Sequence, residues 1–329
     1  MIWRNSMPKV GVAQVGSVLF DTAGTLAKLR EFVDRATAAG VEFLVFPEAF
    51  VGGYPKGLSF GAVVGSRAPA GRDEYVRYFS SAVTVPGPET RQIGEFARQS
   101  GMTIVVGVIE RDGGTLYCTA VYFGADGHLL GKHRKLMPTG SERLIWGQGD
   151  GSTIEVFDSP VGRFAATICW ENYMPQFRLA TYQQGVQLWC APTVDDRDIW
   201  QSTMRHIAYE GRCFVLSACQ YLSTADLPED YQRQDLQQTP EGLIRGGSVI
   251  VSPLGEVLAG PVYGQETLLV ADIDLDDQIR GKFDLDVTGH YARPDIFTLT
   301  VDRSARNAVV SAPTAAAEPV GSDDAGAVR

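Results

Sequence analysis

Three strand-like runs in this chain each end at a single ionisable side chain. The first, residues 41–47, is apolar except for Glu42 and ends at Glu48, the second ends at Lys135, and the third, an apolar run, ends at Cys169. Val/Ile/Leu-rich runs of this length predict buried strands. A carboxylate, an ammonium and a thiol at strand ends form a candidate catalytic set.

The order of the periodic segments predicts an α/β chain with mixed sheets. Residues 9–15 alternate as a strand, a helix capped by Asp21 follows, and strands at 41–47 and 102–110 complete a β-α-β-α-β opening. Glycine-containing turns at residues 113–114 and 126–127 then predict hairpins and antiparallel strands. Further strand and helix patterns follow the hairpins, so the β-α unit is repeated.

Several segments carry expectations of their own. We expect a glycine-rich loop from residue 52 to about 88, a strand over 163–170 and a helix over 175–184. The polar stretch 222–245 has no periodicity and is long enough to be a functional loop. Ala, Pro, Gly, Asp and Ser dominate from Ser311 onward, so we expect one domain over 1–310 and a disordered tail over 311–329.

Composition excludes several classes of function. The 329 residues carry a formal net charge of −10 without a basic stripe, so nucleic acid is not an expected partner. No apolar run reaches the roughly 18 residues that a membrane span needs, and the first ten residues lack the apolar core of a secretory signal. The five cysteines lie in apolar runs, which fits reduced thiols in a cytoplasmic protein.

We expect neither a metal nor a cofactor. The chain has no C-x-x-C pair, and its four histidines are scattered along the sequence. Zinc and iron–sulfur sites need clustered ligands of these types.

Context distinguishes Cys169 from an ordinary buried cysteine. Its apolar run stops at the thiol, and Pro175 predicts a helix start soon afterwards, so backbone N–H groups near a turn could stabilise a thiolate or an oxyanion. Apolar neighbours on both sides of Glu48 would desolvate its carboxylate and raise its pKa, as a general base requires. Lys135 ends a basic run, which alone is typical of a solvated surface.

Together these groups suit attack on an unactivated C–N bond. A nitrile carbon is a weak electrophile, so the attacking group must be as nucleophilic as a thiolate. The nitrogen must also gain protons, which a glutamate can move. A fixed lysine can stabilise negative charge that develops during the reaction.

Three segments resemble the signatures of a known family. Residues 46–50 (FPEAF), 133–139 (HRKLMPT) and 169–175 (CWENYMP) are similar to those of the nitrilase branch of the carbon–nitrogen hydrolase superfamily, in the same order. The resemblance extends from about Lys9 to Val301. Within the branch it is strongest to plant-type nitrilases and their bacterial relatives.

The resemblance implies a fold and a set of roles. The expected fold is a four-layer α-β-β-α sandwich with two mixed β-sheets. Glu48 is the expected general base, Lys135 the cationic stabiliser and Cys169 the nucleophile. A second carboxylate, Glu142, is expected to position Lys135 or the substrate. Family analogy also implies a homo-oligomer, with dimers building into a larger spiral.

The leading hypothesis is hydrolysis of a small-molecule nitrile to a carboxylic acid and ammonia. An aliphatic amidase or a cyanide hydratase or dihydratase of the same superfamily would use the same residues, and a non-catalytic assembly protein is a third possibility. The residues expected to line the substrate pocket are Tyr54, Trp146, Trp170, Tyr173 and Thr193. Aromatic pocket walls favour an apolar or arylaliphatic substituent.

Overall fold

The computed structural model describes residues 7–231 and 239–306 as fourteen strands and six helices. The strands are β1 (Lys9–Gln14), β2 (Phe43–Val45), β3 (Ala62–Val63), β4 (Ser66–Arg67), β5 (Thr103–Asp112), β6 (Thr115–Phe123), β7 (Leu129–Arg134), β8 (Phe164–Ala166), β9 (Leu188–Cys190), β10 (Phe214–Ser217), β11 (Tyr221–Leu222), β12 (Ile244–Val251), β13 (Val257–Tyr263) and β14 (Thr267–Asp272). The helices are α1 (Thr22–Ala38), α2 (Pro69–Ser81), α3 (Pro88–Ser100), α4 (Pro175–Tyr182), α5 (Asp198–Gly211) and α6 (Asp276–Asp284).

Both large sheets are mixed. The first has the order β14-β1-β2-β5-β6-β7, with β1, β2 and β5 parallel and the remaining pairs antiparallel. The second has the order β11-β12-β10-β9-β8, with β8, β9 and β10 parallel, and β13 pairs with β12. The predicted hairpins connect β5 to β6 and β6 to β7.

The layers follow from the two-residue period of the strands. In β2, Phe43 and Val45 face the second sheet, whereas Leu44 packs among residues of α1 and α3. In β9, Leu188 belongs to the core between the sheets and Trp189 packs with residues of α5. Strands that are buried on both faces need helices outside, so the molecule is the predicted α-β-β-α sandwich.

Aromatic packing joins the two sheets. The ring of Phe43 on β2 meets the ring of Phe164 on β8 edge-on, with 5.1 Å between the centroids. Gln14 adds a polar link, because its buried side-chain oxygen accepts hydrogen bonds from the backbone N–H groups of Gly247 and Ser248, each at 2.9 Å. These contacts fix the position of one sheet relative to the other.

Two local predictions were wrong. The expected loop over 52–88 contains the small β3–β4 hairpin and the helix α2, which buries only Gly71, Tyr78 and Ser81 and so has little apolar periodicity to reveal it. The strand expected over 163–170 ends at Ala166, and Cys169 begins a 3₁₀ turn, Cys169–Tyr173. An apolar run buried on both sides gives no signal of where the strand ends.

Other expectations are confirmed or lie outside the described residues. The helices predicted after Asp21 and over 175–184 correspond to α1 and α4. The predicted domain end at residue 310 and the tail 311–329 lie outside the described residues, as does part of the 222–245 loop. Within the described ranges, no helix is long and apolar enough to cross a membrane.

Gly107 on β5 allows a close approach that the turn after β2 requires. A Cβ atom at this position would lie 2.3 Å from the carbonyl oxygen of Pro47 and 2.7 Å from the Cα of Glu48. We expect Gly107→Ala to lower the free energy of unfolding by about 1–3 kcal/mol, because backbone rather than a flexible side chain must move. Urea unfolding followed by circular dichroism measures this change.

Gly114 provides the matched control. It lies in the turn between β5 and β6, and an added Cβ would meet no atom within 4 Å. Gly114→Ala should therefore leave the unfolding midpoint close to that of the unmodified chain. Equal effects of the two substitutions would contradict the steric argument.

Candidate active site

A buried ammonium group lies between two carboxylates beside the first sheet. Lys135 directly follows β7, and its Nζ donates hydrogen bonds to Oε1 of Glu48 at 2.6 Å and to Oε2 of Glu142 at 2.9 Å. Burial opposes the charge on Lys135, but the negative charge of Glu48 and the other acidic groups nearby outweigh this effect and hold the lysine pKa well above its usual range. The ammonium is therefore a fixed cation.

Glu48 keeps one oxygen uncommitted. Its side chain is fully buried, and burial raises its pKa, against the opposing effect of Lys135. Oε1 accepts from Lys135 and lies 3.5 Å from Sγ of Cys118, whereas Oε2 has no hydrogen-bond partner among the described residues. A buried carboxylate oxygen without a partner is the group expected to take a proton from a substrate, a water or a thiol.

The turn that carries Glu48 is fixed from the second sheet. Nε2 of Gln220, which follows β10, donates to the backbone carbonyl of Glu48 at 2.8 Å. Ala49, the next residue, has φ +50°, a region that non-glycine residues seldom occupy. Strained residues of this kind persist where the surroundings hold them, and they are frequent at active sites.

Cys169 adopts the same unusual conformation. Its φ is +50°, and it begins the 3₁₀ turn after β8. The backbone N–H of Cys169 donates to the carbonyl of Pro192 at 2.9 Å, and the amide of Asn172 donates to the carbonyl of Cys169 at 2.8 Å. The turn therefore holds the thiol at the edge of the second sheet, facing the charged groups of the first.

The pKa of the Cys169 thiol lies above its usual range. Burial raises the pKa of Cys169, the charge of Glu48 raises it further, and Lys135 and a hydrogen bond from Thr193 oppose these effects. Oγ1 of Thr193 donates to Sγ of Cys169 at 3.2 Å. The exposed fraction of Cys169 is 3%, whereas that of each of the other four cysteines is at most 1%. Among the five, Cys169 is thus the one most open to a reagent.

Proton transfer from Cys169 to Glu48 would leave the net charge of the site unchanged. With Lys135 charged and the thiol neutral, the two carboxylates give a net charge of −1, and the transfer only moves one negative charge from carboxylate to sulfur. Protonation of Glu48 also removes the negative charge that disfavours the thiolate, whereas the positive charge of Lys135 remains. The site can therefore form the thiolate at the moment of attack.

Two predicted pocket residues support the charged cluster. The hydroxyl of Tyr54 donates to Oε1 of Glu142 at 2.8 Å, and its ring packs edge-on against Trp146. Nζ of Lys135 lies 5.6 Å from the centroid of the Trp146 ring, which is within cation–π range. Both aromatic side chains therefore border the site and also position its charges.

The other predicted pocket residues lie around the sulfur and towards the surface. Thr193 contacts the thiol itself, as described above. Trp170 is 43% exposed and donates from its indole N–H to Asp195 at 2.8 Å, while the guanidinium of Arg197 stacks on its ring. Tyr173 lies between Trp170 and Trp200. Substrate contact by Trp170 and Tyr173 stays a prediction.

Further side chains hold the residues of the site in place. Asp195 joins Trp170 to Arg197, and its backbone N–H donates to Oγ1 of Thr193 at 2.8 Å. Glu171 and His133 form a buried pair at 3.1 Å. Both lie inside the signature segments. The only sequence feature that could have indicated their role is an acid or an imidazole among apolar neighbours. Within the described residues, no group of three or more His, Cys, Asp or Glu is placed to hold a metal ion.

Removal of the Thr193 hydroxyl should make the Cys169 thiolate harder to form. A hydrogen bond to a charged group contributes about 1.5–3 kcal/mol, so we expect Thr193→Val to move the midpoint of iodoacetamide alkylation upward by about 1 pH unit. Mass spectrometry of the Cys169 peptide across a pH series measures the shift.

Thr103→Val is the matched control. Thr103 is also a buried threonine, but its hydroxyl has no hydrogen-bond partner among the described residues. The substitution should leave the alkylation profile of Cys169 unchanged. A Thr193→Val profile identical to that of the unmodified chain would contradict a role of the Thr193 hydroxyl at the sulfur.

Comparison with solved structures supports the fold. The structure superposes on the C. elegans NitFhit protein with a TM-score of 0.71 at 20% identity, covering 92% of this chain and 69% of that one. It superposes on Saccharomyces cerevisiae Nit3, a member of branch 10 of the nitrilase superfamily, with a TM-score of 0.67 at 18% identity, covering 87% and 97% of the two chains. At these identities the likeness is one of fold.

Curated relatives are far more similar in sequence. The chain is 54% identical to an aliphatic nitrilase of Sinorhizobium fredii, covering 92% of this chain and 98% of that protein. It is 50% identical to nitrilase 2 of Arabidopsis thaliana, covering 93% and 91%. It is also 50% identical to the bifunctional nitrilase/nitrile hydratase NIT4A of Nicotiana tabacum, covering 88% and 84%.

The family assignment rests on most of the chain. The model of the carbon-nitrogen hydrolase family matches residues 9–281, a range that contains Glu48, Lys135, Glu142 and Cys169. The resemblance of the three signature segments is thereby confirmed. The chain belongs to the carbon–nitrogen hydrolase family.

Proposed function

We propose that this protein is a nitrilase, which hydrolyses an organic nitrile to the carboxylic acid and ammonia. One observation carries the proposal: the ammonium of Lys135 is bonded to Glu48 and Glu142 and is electrostatically coupled to the thiol of Cys169. Relatives at about half identity over most of the chain are named nitrilases, which supports the same activity.

The first half of the reaction forms a covalent thioimidate. Glu48 takes the proton of Cys169, the thiolate adds to the nitrile carbon, and Glu48 returns the proton to the nitrogen. Lys135 stabilises the negative charge that develops on nitrogen as the carbon–sulfur bond forms. This step consumes no water and conserves the charge of the site.

The second half uses two water molecules. Glu48 activates the first water for addition to the thioimidate carbon, which gives a tetrahedral intermediate bearing one hydroxyl and one amino group. Transfer of the hydroxyl proton through Glu48 to the amino group expels ammonia and leaves a thioester. The second water then releases the acid and restores the thiol.

The tetrahedral intermediate also determines how much amide is formed. If sulfur rather than ammonia leaves, the product is the amide, and one relative of this chain is named a bifunctional nitrilase/nitrile hydratase. Product analysis separates these outcomes and also tests the amidase alternative. A nitrilase should yield mainly acid from nitriles and act slowly on the matching amides.

The aromatic walls suit an apolar substituent on the nitrile. Tyr54 and Trp146 line the charged end of the site, and Trp170 and Tyr173 lie towards the surface. A panel of aliphatic dinitriles, phenylacetonitrile, mandelonitrile, benzonitrile, β-cyanoalanine and cyanide would identify the preferred class.

Substitution of each proposed catalytic residue should reduce ammonia release from a nitrile. We expect Cys169→Ala to abolish turnover, Glu48→Gln to prevent proton transfer, and Lys135→Ala to cost at least about 10²-fold in kcat through loss of a preorganised charge. Ammonia detection with the panel above measures the rates. Cys213→Ala, at a buried cysteine on the far side of the second sheet, should retain activity. Near-normal ammonia release by any of the first three variants contradicts the mechanism.

We also propose a cytoplasmic homo-oligomer in which dimers build into a larger spiral. All five cysteines are unpaired, as in a reducing compartment. Large apolar side chains are exposed on α5 and on the C-terminal segment, at Ile199, Tyr209, Ile296 and Phe297.

Assembly should be evident in the mass of the purified full-length chain. Light scattering coupled to size-exclusion chromatography is expected to give species larger than a dimer, since the exposed apolar surfaces lie on more than one element. A monomer at micromolar concentration would contradict the assembly proposal and leave the chemistry untouched.

A further inference from the structure

The side chain of Glu171 connects the two segments that carry Lys135 and Cys169. It lies in the 3₁₀ turn after β8 and is fully buried. Its Oε2 accepts from the backbone N–H of Ile168 at 2.7 Å, and its Oε1 accepts from the backbone N–H of Leu136 at 2.7 Å. Ile168 directly precedes Cys169, and Leu136 directly follows Lys135.

The bond from Leu136 crosses between the sheets, whereas the bond from Ile168 stays within the turn after β8. Lys135 follows β7 at one end of the first sheet, and Cys169 follows β8 at one end of the second. The separation of sulfur and ammonium therefore depends on how the two strand ends are joined. One carboxylate bonded to both backbones sets that separation directly.

His133 is a further partner of Glu171, and the bonds of Glu171 to Ile168, Leu136 and His133 are called the clamp. Its Nε2 lies 3.1 Å from both oxygens of Glu171, and its Nδ1 lies 3.0 Å from Oγ1 of Thr153. The carboxylate thus has two backbone N–H donors and the imidazole of His133 as partners, and each partner belongs to the segment of Lys135 or to that of Cys169. Glutamine could not replace it, because an amide group would direct N–H towards at least one of these donors.

We propose that Glu171 is a positioning residue for the nitrilase reaction: it fixes the distance between the Cys169 thiol and the Lys135 ammonium by clamping the backbone beside each. None of the described hydrogen bonds of Glu171 reaches Sγ of Cys169, Nζ of Lys135 or the carboxylate of Glu48, so it acts through geometry. The inference rests on the proposed function and adds a residue to it.

Glu171→Asp tests the bond to Leu136 separately from the bond to Ile168 within the turn. The shorter carboxylate can still accept from Ile168, three residues earlier in the same turn, but it cannot also reach Leu136. A displacement of about 1 Å can cost on the order of 10²-fold in rate, so we expect kcat to fall by about that factor with KM changed much less. The midpoint of Cys169 alkylation should also move to higher pH, because a more distant Lys135 stabilises the thiolate less.

Glu171→Gln and Glu110→Gln complete the design. Glu171→Gln should lower kcat at least as much as Glu171→Asp. Glu110 is an equally buried carboxylate with several donors, but its partners are the side chains of Thr119 on β6 and of Lys132 and Arg134 on β7. Glu110→Gln should lower the unfolding midpoint while leaving kcat per folded molecule and the alkylation profile unchanged.

The outcomes are distinct. Unchanged kcat and alkylation profile in Glu171→Asp would overturn the proposal, as would an equal shift of the profile in Glu110→Gln. Failure of the proposed function would appear separately, as absence of nitrile hydrolysis by the unmodified chain. The alkylation profile would still report the distance between thiol and ammonium in that case, because it does not depend on turnover.

Discussion

The contact of one buried ammonium with two carboxylates is the interaction on which the site depends. Lys135, Glu48 and Glu142 are all buried, and removal of one partner from such a group leaves a charge without compensation. The cluster carries one negative charge in excess, and that charge can move to the sulfur of Cys169. The chemistry therefore requires a carboxylate that lacks a partner on one oxygen, and Glu48 provides it.

The two-sheet architecture explains how these groups meet. Glu48 and Lys135 lie at strand ends of the first sheet, and Cys169 lies at a strand end of the second. Gln220, Asn172 and Glu171 hold the relevant turns by hydrogen bonds to backbone groups rather than to the reactive atoms. A rigid frame of this kind lets two turns keep unfavourable φ angles at Ala49 and Cys169.

Sequence patterns predicted the fold class and the order of most elements, and they singled out Glu48, Lys135 and Cys169, whose catalytic roles stay a proposal. The predictions that were wrong share a cause. Helix α2 buries few apolar side chains, so its periodicity was too weak to detect, and the strand before Cys169 ends inside a run that is apolar throughout. In both places the local sequence carries no information about which other parts of the molecule pack against it.

The sequence by itself determined which reactive groups exist, that each follows a strand, and in what order they occur, because strand periodicity and turn residues are local properties. Only the tertiary structure decided their partners. Tyr54 and Thr193 were expected at the substrate and are bonded to Glu142 and to Cys169. Glu171 had no expected role, yet its side chain is bonded to the backbone of Leu136, 35 residues away. Such contacts depend on how two sheets stack face to face, and that register is fixed by packing between residues far apart in the chain.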